Sequence, residues 1–225
     1  MGRSAGAWPD CCSALGGCSF SETATRVGSV IRPQLVKVNR NGQATVLTPE
    51  QLDQLLAAAP SARYRALWSL QRWSAARISE TLALTWGDVV AGHVTYRKAT
   101  TKTKATRQIR CTDRLAAALA EYRLAWAEEH GHAPIASEAL FPAAGSTTSP
   151  MSRQAADKAL RATAIKLGFE GVSTHSFRRS FATGAVKRGA TLPAVQRVTG
   201  HSSLAGLTPY IEVDQEDVMA ALAGA

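Results

Sequence analysis

No stretch of the 225 residues approaches the run of about 18 apolar side chains that a membrane-spanning helix needs. The N-terminus also lacks a basic start followed by an apolar segment, so neither a spanning helix nor a secretory signal is expected, and the cytoplasm is the expected location. Cysteine is scarce: Cys11, Cys12 and Cys18 crowd one end and Cys111 stands alone. A C-C-x5-C grouping without a nearby His fits no zinc spacing, so reduced thiols are expected rather than a metal site or a disulfide framework. Acidic residues are the minority charge, and no carboxylate cluster suits a metal ion. The 26 Lys+Arg against 17 Asp+Glu leave a net charge of +9, which favours a polyanionic partner, nucleic acid ahead of a membrane surface. No internal repeat is visible.

What the chain does have is an apolar fraction of 45%, enough to build a real core at this length. Residues 1 to 46 differ from the rest: Gly, Ser, Pro and small side chains dominate without a sustained apolar period. They are expected to form a flexible tail and linker, with an edge strand at Gln34 to Val38 as an option. The folded body is expected over 47–225.

Order begins at Thr48-Pro49-Glu50-Gln51, where a Thr cap, Pro at the first helical position and Gln three after the cap predict a helix start. A second helix follows Pro60 and a third runs from about Arg77 to Leu84. Segments near His93 to Arg97 and Thr106 to Cys111 predict a small antiparallel hairpin joined by a Lys/Thr-rich turn. Asp113 is placed as the cap of a long helix to His130, and a further helix is expected from about Ser152 to Leu167, stopped by Gly168. Three shorter helices are placed near 175–188, 191–199 and 215–223. The fold class is α+β, mostly α-helical, with a small antiparallel sheet.

Several residues carry more than structure. Arg77 opens a helix, where a bidentate guanidinium and free backbone N–H groups together suit phosphate oxygens; pairing with Glu80 or Glu50 is the alternative. His175 and Arg178 lie three apart on one helix whose Phe177, Phe181 and Val186 anchor it, so imidazole and guanidinium can face one phosphate. In Thr199-Gly200-His201, Gly200 is expected to take the left-handed cap and to be followed directly by His201. Tyr210 comes nine residues after His201.

Taken together, A-R-I-S-E-T-L-A-L-T-W-G-D, the Lys-bearing hairpin, H-S-F-R-R-S-F-A-T, T-G-H-S-S-L and Tyr210 resemble, in order and context, the catalytic domain of the tyrosine recombinase (phage integrase) family over about residues 46–222. The resemblance implies that Tyr210 attacks a DNA phosphate, leaving a 3′-phosphotyrosyl link and a free 5′-hydroxyl, with no cofactor. Arg77 and Arg178 would hold the non-bridging oxygens, His175 would accept a proton or orient the phosphate, and His201 would donate a hydrogen bond to it. A hairpin lysine would protonate the departing oxygen. The family's K-x-x-x-x-R pattern, counted back from Arg107, selects Lys102, with Lys104 as the other choice.

The chain departs from the family at Ala75-Ala76, where Gly-Leu is frequent, and at Thr199, where Leu is frequent. It also has too few residues ahead of Thr48 for the family's helical core-binding domain, which needs roughly 60, so that domain is expected to be absent. By the resemblance the partner is double-stranded DNA. The protein would act as a homotetramer on DNA, as a monomer or weak oligomer when free, and beside an accessory DNA-bending or directionality protein. It would be nucleoid-associated and part of a mobile element. The rival readings are a type IB topoisomerase-like enzyme and a truncated DNA-binding regulator of a full-length integrase.

Overall fold

A computed structural model describes residues 43–97, 99–101 and 105–210. The first element, α1 (Pro49–Ala57), begins as its sequence requires: Thr48 Oγ1 accepts from Gln51 N–H and Gln51 Oε1 accepts from Thr48 N–H, at 3.2 and 3.0 Å. These two bonds satisfy amides that a helix start otherwise leaves to water. Just before it, Ala44 and Leu47 are already buried, and Leu47 N–H donates to Ser180 Oγ at 2.7 Å.

At the centre is α2 (Ala62–Ser74), which packs most heavily on α4 (Asp113–His130) and then on α6 (Thr174–Lys187). Its middle, Ala66 through Arg72, is buried on every side. That is the expected position of a helix with Leu67, Trp68 and Leu70 spread around it rather than confined to one stripe. Against α2 and α4 lies an aromatic stack in which Trp86, Tyr122 and Phe141 pack at centroid spacings of 5.6 and 5.7 Å, with Trp126 edge-on to Trp86. Such pairs contribute about 0.5–1.5 kcal/mol each beyond the area they bury.

α3 (Ile78–Leu82) is shorter than the sequence pattern suggests, because Arg77 is its N-cap and Ala83 its C-cap. After a 3-10 turn at Trp86–Asp88, three short strands form an antiparallel sheet in the order β1 (Val89–Val90), β2 (His93–Tyr96), β3 (Arg107–Arg110). The hairpin expected from the sequence is β2 and β3, with Val94 opposite Ile109. β1, only two residues long, adds an edge by pairing Val89 with Val94. The cap of α4 is Thr112, not Asp113: Thr112 Oγ1 accepts from Leu115 N–H at 3.3 Å, and Asp113 sits in the first turn. A carboxylate there still opposes the positive helix end.

α5 (Arg153–Lys166) lies where a helix is expected, with Ser152 as its cap, and α7 (Leu192–Thr199) follows α6. The chain then coils through a 3-10 segment, Leu204–Tyr210. α6, α7 and this segment share a satellite core in which Ala182, Ala185, Val195 and Leu207 are buried and Phe181 and Tyr210 pack around them. The strand option at Gln34 to Val38, the helix placed at 215–223 and both Lys102 and Lys104 lie outside the described residues. Among the described residues no helix is long and apolar enough to cross a membrane.

Candidate active site

An open cleft of about 1020 Å³ runs between β3, the end of α7 and the start of α3. Its lining carries Arg77, Arg107, Arg110, Arg197 and His201 but a single carboxylate, Glu80. The flanks of the β2–β3 turn, Thr101 and Ala105, reach the same cleft.

Arg178 organises the site from behind. It is 4% exposed, and its Nη1 donates to the carbonyl oxygens of Ala75 at 2.8 Å and Thr199 at 2.6 Å, while Nη2 donates to His201 Nε2 at 3.1 Å. The two carbonyls close α2 and α7, the negative ends of both helices, so one buried cation meets two helix termini. Burial, reinforced by the neighbouring Arg77, lowers the Arg178 pKa to about 10, which leaves it charged at neutral pH.

Ala75 can offer its carbonyl only because it is left-handed, with φ 51° and ψ 23°. A side-chain-bearing residue in that region is strained by about 1–2 kcal/mol, and this is the position where the family often has Gly. Ala75→Gly should therefore raise stability by about 1 kcal/mol once the extra freedom of glycine in the unfolded chain is offset. Thermal melting checks it: a lower melting temperature would mean the strain is absent.

Arg77 sits at the mouth of α3. Glu80, 2% exposed, accepts from Arg77 N–H at 3.2 Å and from Arg77 Nη1 at 3.0 Å, so one side chain caps the helix and aims the guanidinium. Glu80 Oε2 is also 3.6 Å from Arg107 Nη2. Arg107 lies with its Cζ 4.7 Å from the Tyr96 ring centroid and donates through Nη1 to the Val198 carbonyl. Burial, with Arg77 adding to it, holds the Arg107 pKa below its ordinary value. Two guanidinium groups thus share one carboxylate, with the buried Arg178 cation nearby. An incoming phosphate would supply the missing negative charge.

His201 follows Gly200, whose φ of 68° makes the left-handed turn that ends α7. Its ring lies against Gly206, where an added Cβ would come within 3.2 Å of His201 Cδ2. Burial first, then Arg178 and Arg77, push the imidazole pKa down from 6.5 to about 4. The unfolded chain therefore binds a proton that the folded protein refuses between about pH 6.5 and 4, and stability falls as pH drops through that window. Thermal melts at stepped pH should show a shallower acid decline for His201→Gln than for the unsubstituted protein; equal slopes would contradict the shift.

Tyr210 ends the 3-10 segment, its ring centroid 5.7 Å from that of His201 and 5.9 Å from Arg179 Cζ. Arg179 itself donates to the Ala44 carbonyl. Arg77, Arg178, His201 and Tyr210 are thus brought together from four separate parts of the chain. His175 is exposed on the first turn of α6, one turn before the buried Arg178, and lines a hollow of about 570 Å³ with Arg153, Arg161 and Ile78, the residue after Arg77. In the sequence Glu80 is only a possible partner for Arg77, and Arg107 only the mark from which Lys102 is counted. Their burial between charges could be found only from the packing.

The chain is similar to known proteins in sequence and fold. The profile of the phage integrase family matches residues 45–217. Tyrosine recombinase XerC of Roseiflexus sp. (strain RS-1) is 31% identical over 180 residues, covering 75% of this chain and 55% of that protein. The probable integrase/recombinase YoeC of Bacillus subtilis (strain 168) is 32% identical over 149 residues, 66% of this chain and 76% of YoeC. Among solved structures, XerA recombinase superposes with a TM-score of 0.64 at 19% identity, over 81% of this chain and 66% of XerA. The XerH site-specific recombinase bound to difH substrate gives 0.64 at 23%, over 83% and 55%. The chain spans about half the length of the XerC relative it matches. With the family profile running from residue 45 to 217, and the mostly helical fold with its small antiparallel sheet shared with those recombinases, the chain belongs to the phage integrase family.

Proposed function

We propose that this domain cuts and rejoins duplex DNA through Tyr210, as a site-specific recombinase. The observation that carries the reading is that Arg77 and His201 line a cleft rich in arginine and nearly devoid of acid, with Arg178 and Tyr210 both packed against His201. The net charge of +9 supports a DNA partner, as do the recombinase–substrate complexes among its structural relatives.

In this reading the Tyr210 oxygen attacks phosphorus, the P–O5′ bond breaks and the phosphoryl group passes to the tyrosine. A 5′-hydroxyl is left, which later attacks the phosphotyrosine to reseal the strand. Bond energy is conserved, so no cofactor is consumed. Arg77 and Arg178 offer planar donors to the non-bridging oxygens, where charge grows in the transition state. Both Nη1 hydrogens of Arg178 are held by carbonyls, so it meets an oxygen from its Nη2 and Nε edge, beside His201. His175 orients the phosphate or takes a proton from the nucleophile, and Lys102, with Lys104 as the alternative, protonates the leaving oxygen. The active species is a homotetramer on two DNA sites in the cytoplasm, at the nucleoid, aided by a DNA-bending or directionality protein.

The test is to incubate the protein with fragmented host DNA and recover SDS-resistant protein–DNA adducts. Adducts mapping to a few sites support the recombinase. Adducts without sequence preference indicate topoisomerase-like relaxation. DNA retention at low salt with no adduct indicates a binding regulator.

A further inference from the structure

We infer that Thr199 is a positioning residue that holds His201 in its Nδ1–H form and so confines proton exchange at this ring to Nε2. The inference rests on the reading of His201 as a catalytic group. It comes from counting hydrogens. Thr199 is fully buried, and its Oγ1 lies 2.7 Å from the Val195 carbonyl oxygen and 2.7 Å from His201 Nδ1. A hydroxyl has one proton, and a carbonyl can only accept. The proton therefore goes to Val195, one helical turn back, and toward His201 the hydroxyl offers a lone pair. Nδ1 must carry a hydrogen to use it.

The other side of the ring gives the same answer independently. Arg178 Nη2, 3.1 Å from Nε2, has no lone pair to offer, so Nε2 accepts. Both nitrogens are thus specified by groups outside the ring. The backbone of His201 is pinned as well, its carbonyl accepting from Gln196 Nε2 at 3.0 Å, and Gly206 closes against the ring carbon. The charged and titratable groups that face the imidazole are Arg178 from α6, Arg77 from the start of α3 and Tyr210 from the 3-10 segment, with Arg107 of β3 against Gly200.

The consequence is directional. Thr199 Oγ1 accepts from Nδ1–H whether the ring is neutral or protonated, so Nδ1 never exchanges its proton. Uptake and release occur at Nε2, which points at Arg178 and the place of the phosphate. When DNA enters, an oxygen that draws Arg178 Nη2 away frees Nε2 to take a proton and donate to the phosphate. Thr199 also hands its carbonyl to Arg178, so one residue sets both partners.

The experiment reads the tautomer without DNA. In the full-length 15N-labelled protein, long-range 1H–15N correlation, with the His201 signals assigned through His201→Gln, should show Nδ1–H. Thr199→Ser should preserve that pattern and cleave within about twofold of the parent. Thr199→Val keeps shape but not the hydroxyl; Arg178 still favours an accepting Nε2, but Nδ1–H loses its acceptor, so a fraction of His201 should shift to Nε2–H, cleavage should slow on the order of tenfold to a hundredfold, and the pH–rate profile should move. A parent spectrum showing Nε2–H overturns the inference, and so does a Val variant with unchanged tautomer and pH profile. Should the Val variant not fold, the parent and Ser spectra decide. A parent that holds Nδ1–H but never cuts DNA strikes the proposed function alone.

Discussion

Tyr210→Phe is expected to form no covalent DNA adduct, a loss of at least about a thousandfold, because no other group takes over a missing nucleophile. Its melting temperature should stay close to that of the parent. The ring contributes to the satellite core with Phe181 and Leu207 and stands beside His201 and Arg179, and a phenylalanine ring keeps all of these contacts. DNA affinity should change by less than about threefold, since affinity of this kind is carried by cations on phosphates. Parallel adduct, melting and filter-binding assays separate the three quantities. An adduct that survives in the Phe variant would move the nucleophile elsewhere and remove the basis of the proposed mechanism.

Arg178→Lys should cost on the order of a hundredfold to a thousandfold in the cleavage rate with a much smaller loss of binding. Charge is not what the substitution removes. The guanidinium holds Ala75 O, Thr199 O and His201 Nε2 at once in a single plane, and an ammonium is a compact donor on a flexible stem that cannot span the three. Single-turnover cleavage on a synthetic duplex, compared with salt-dependent binding, is the measurement. A Lys variant cutting at near-parental rate would show that position 178 supplies only charge.

Part of this architecture can be read in the sequence because it is local. Thr48 with Gln51 and Gly200 at the end of α7 are cap signals whose partners lie within a few residues, and the structure places them as read. The order of Arg77, His175, Arg178, His201 and Tyr210 is likewise a property of the chain. What escaped depends on residues that meet across long separations. The left-handed Ala75 carries no sequence mark, since Ala fits most helices, and only the buried Arg178 gives its carbonyl a purpose. Glu80 reads as an ordinary first-turn acid until Arg107 arrives on its other side. The two-residue strand Val89–Val90 is too short to show a period, and Thr112 competes with Asp113 for one cap position by geometry alone.

The Arg178 clasp has a consequence for when the domain can act. Its acceptors at Ala75 and Thr199 lie 103 residues upstream and 21 downstream, and Tyr210, the proposed nucleophile, comes later still. No contiguous fragment short of nearly the whole domain contains the parts, and a chain whose α2 and α6 have not yet met has no aimed guanidinium, no held imidazole and no reason to cut. Under the proposed function, a centre assembled this way would be harmless during synthesis and would lose its activity on partial unfolding, since losing the fold loses the clasp.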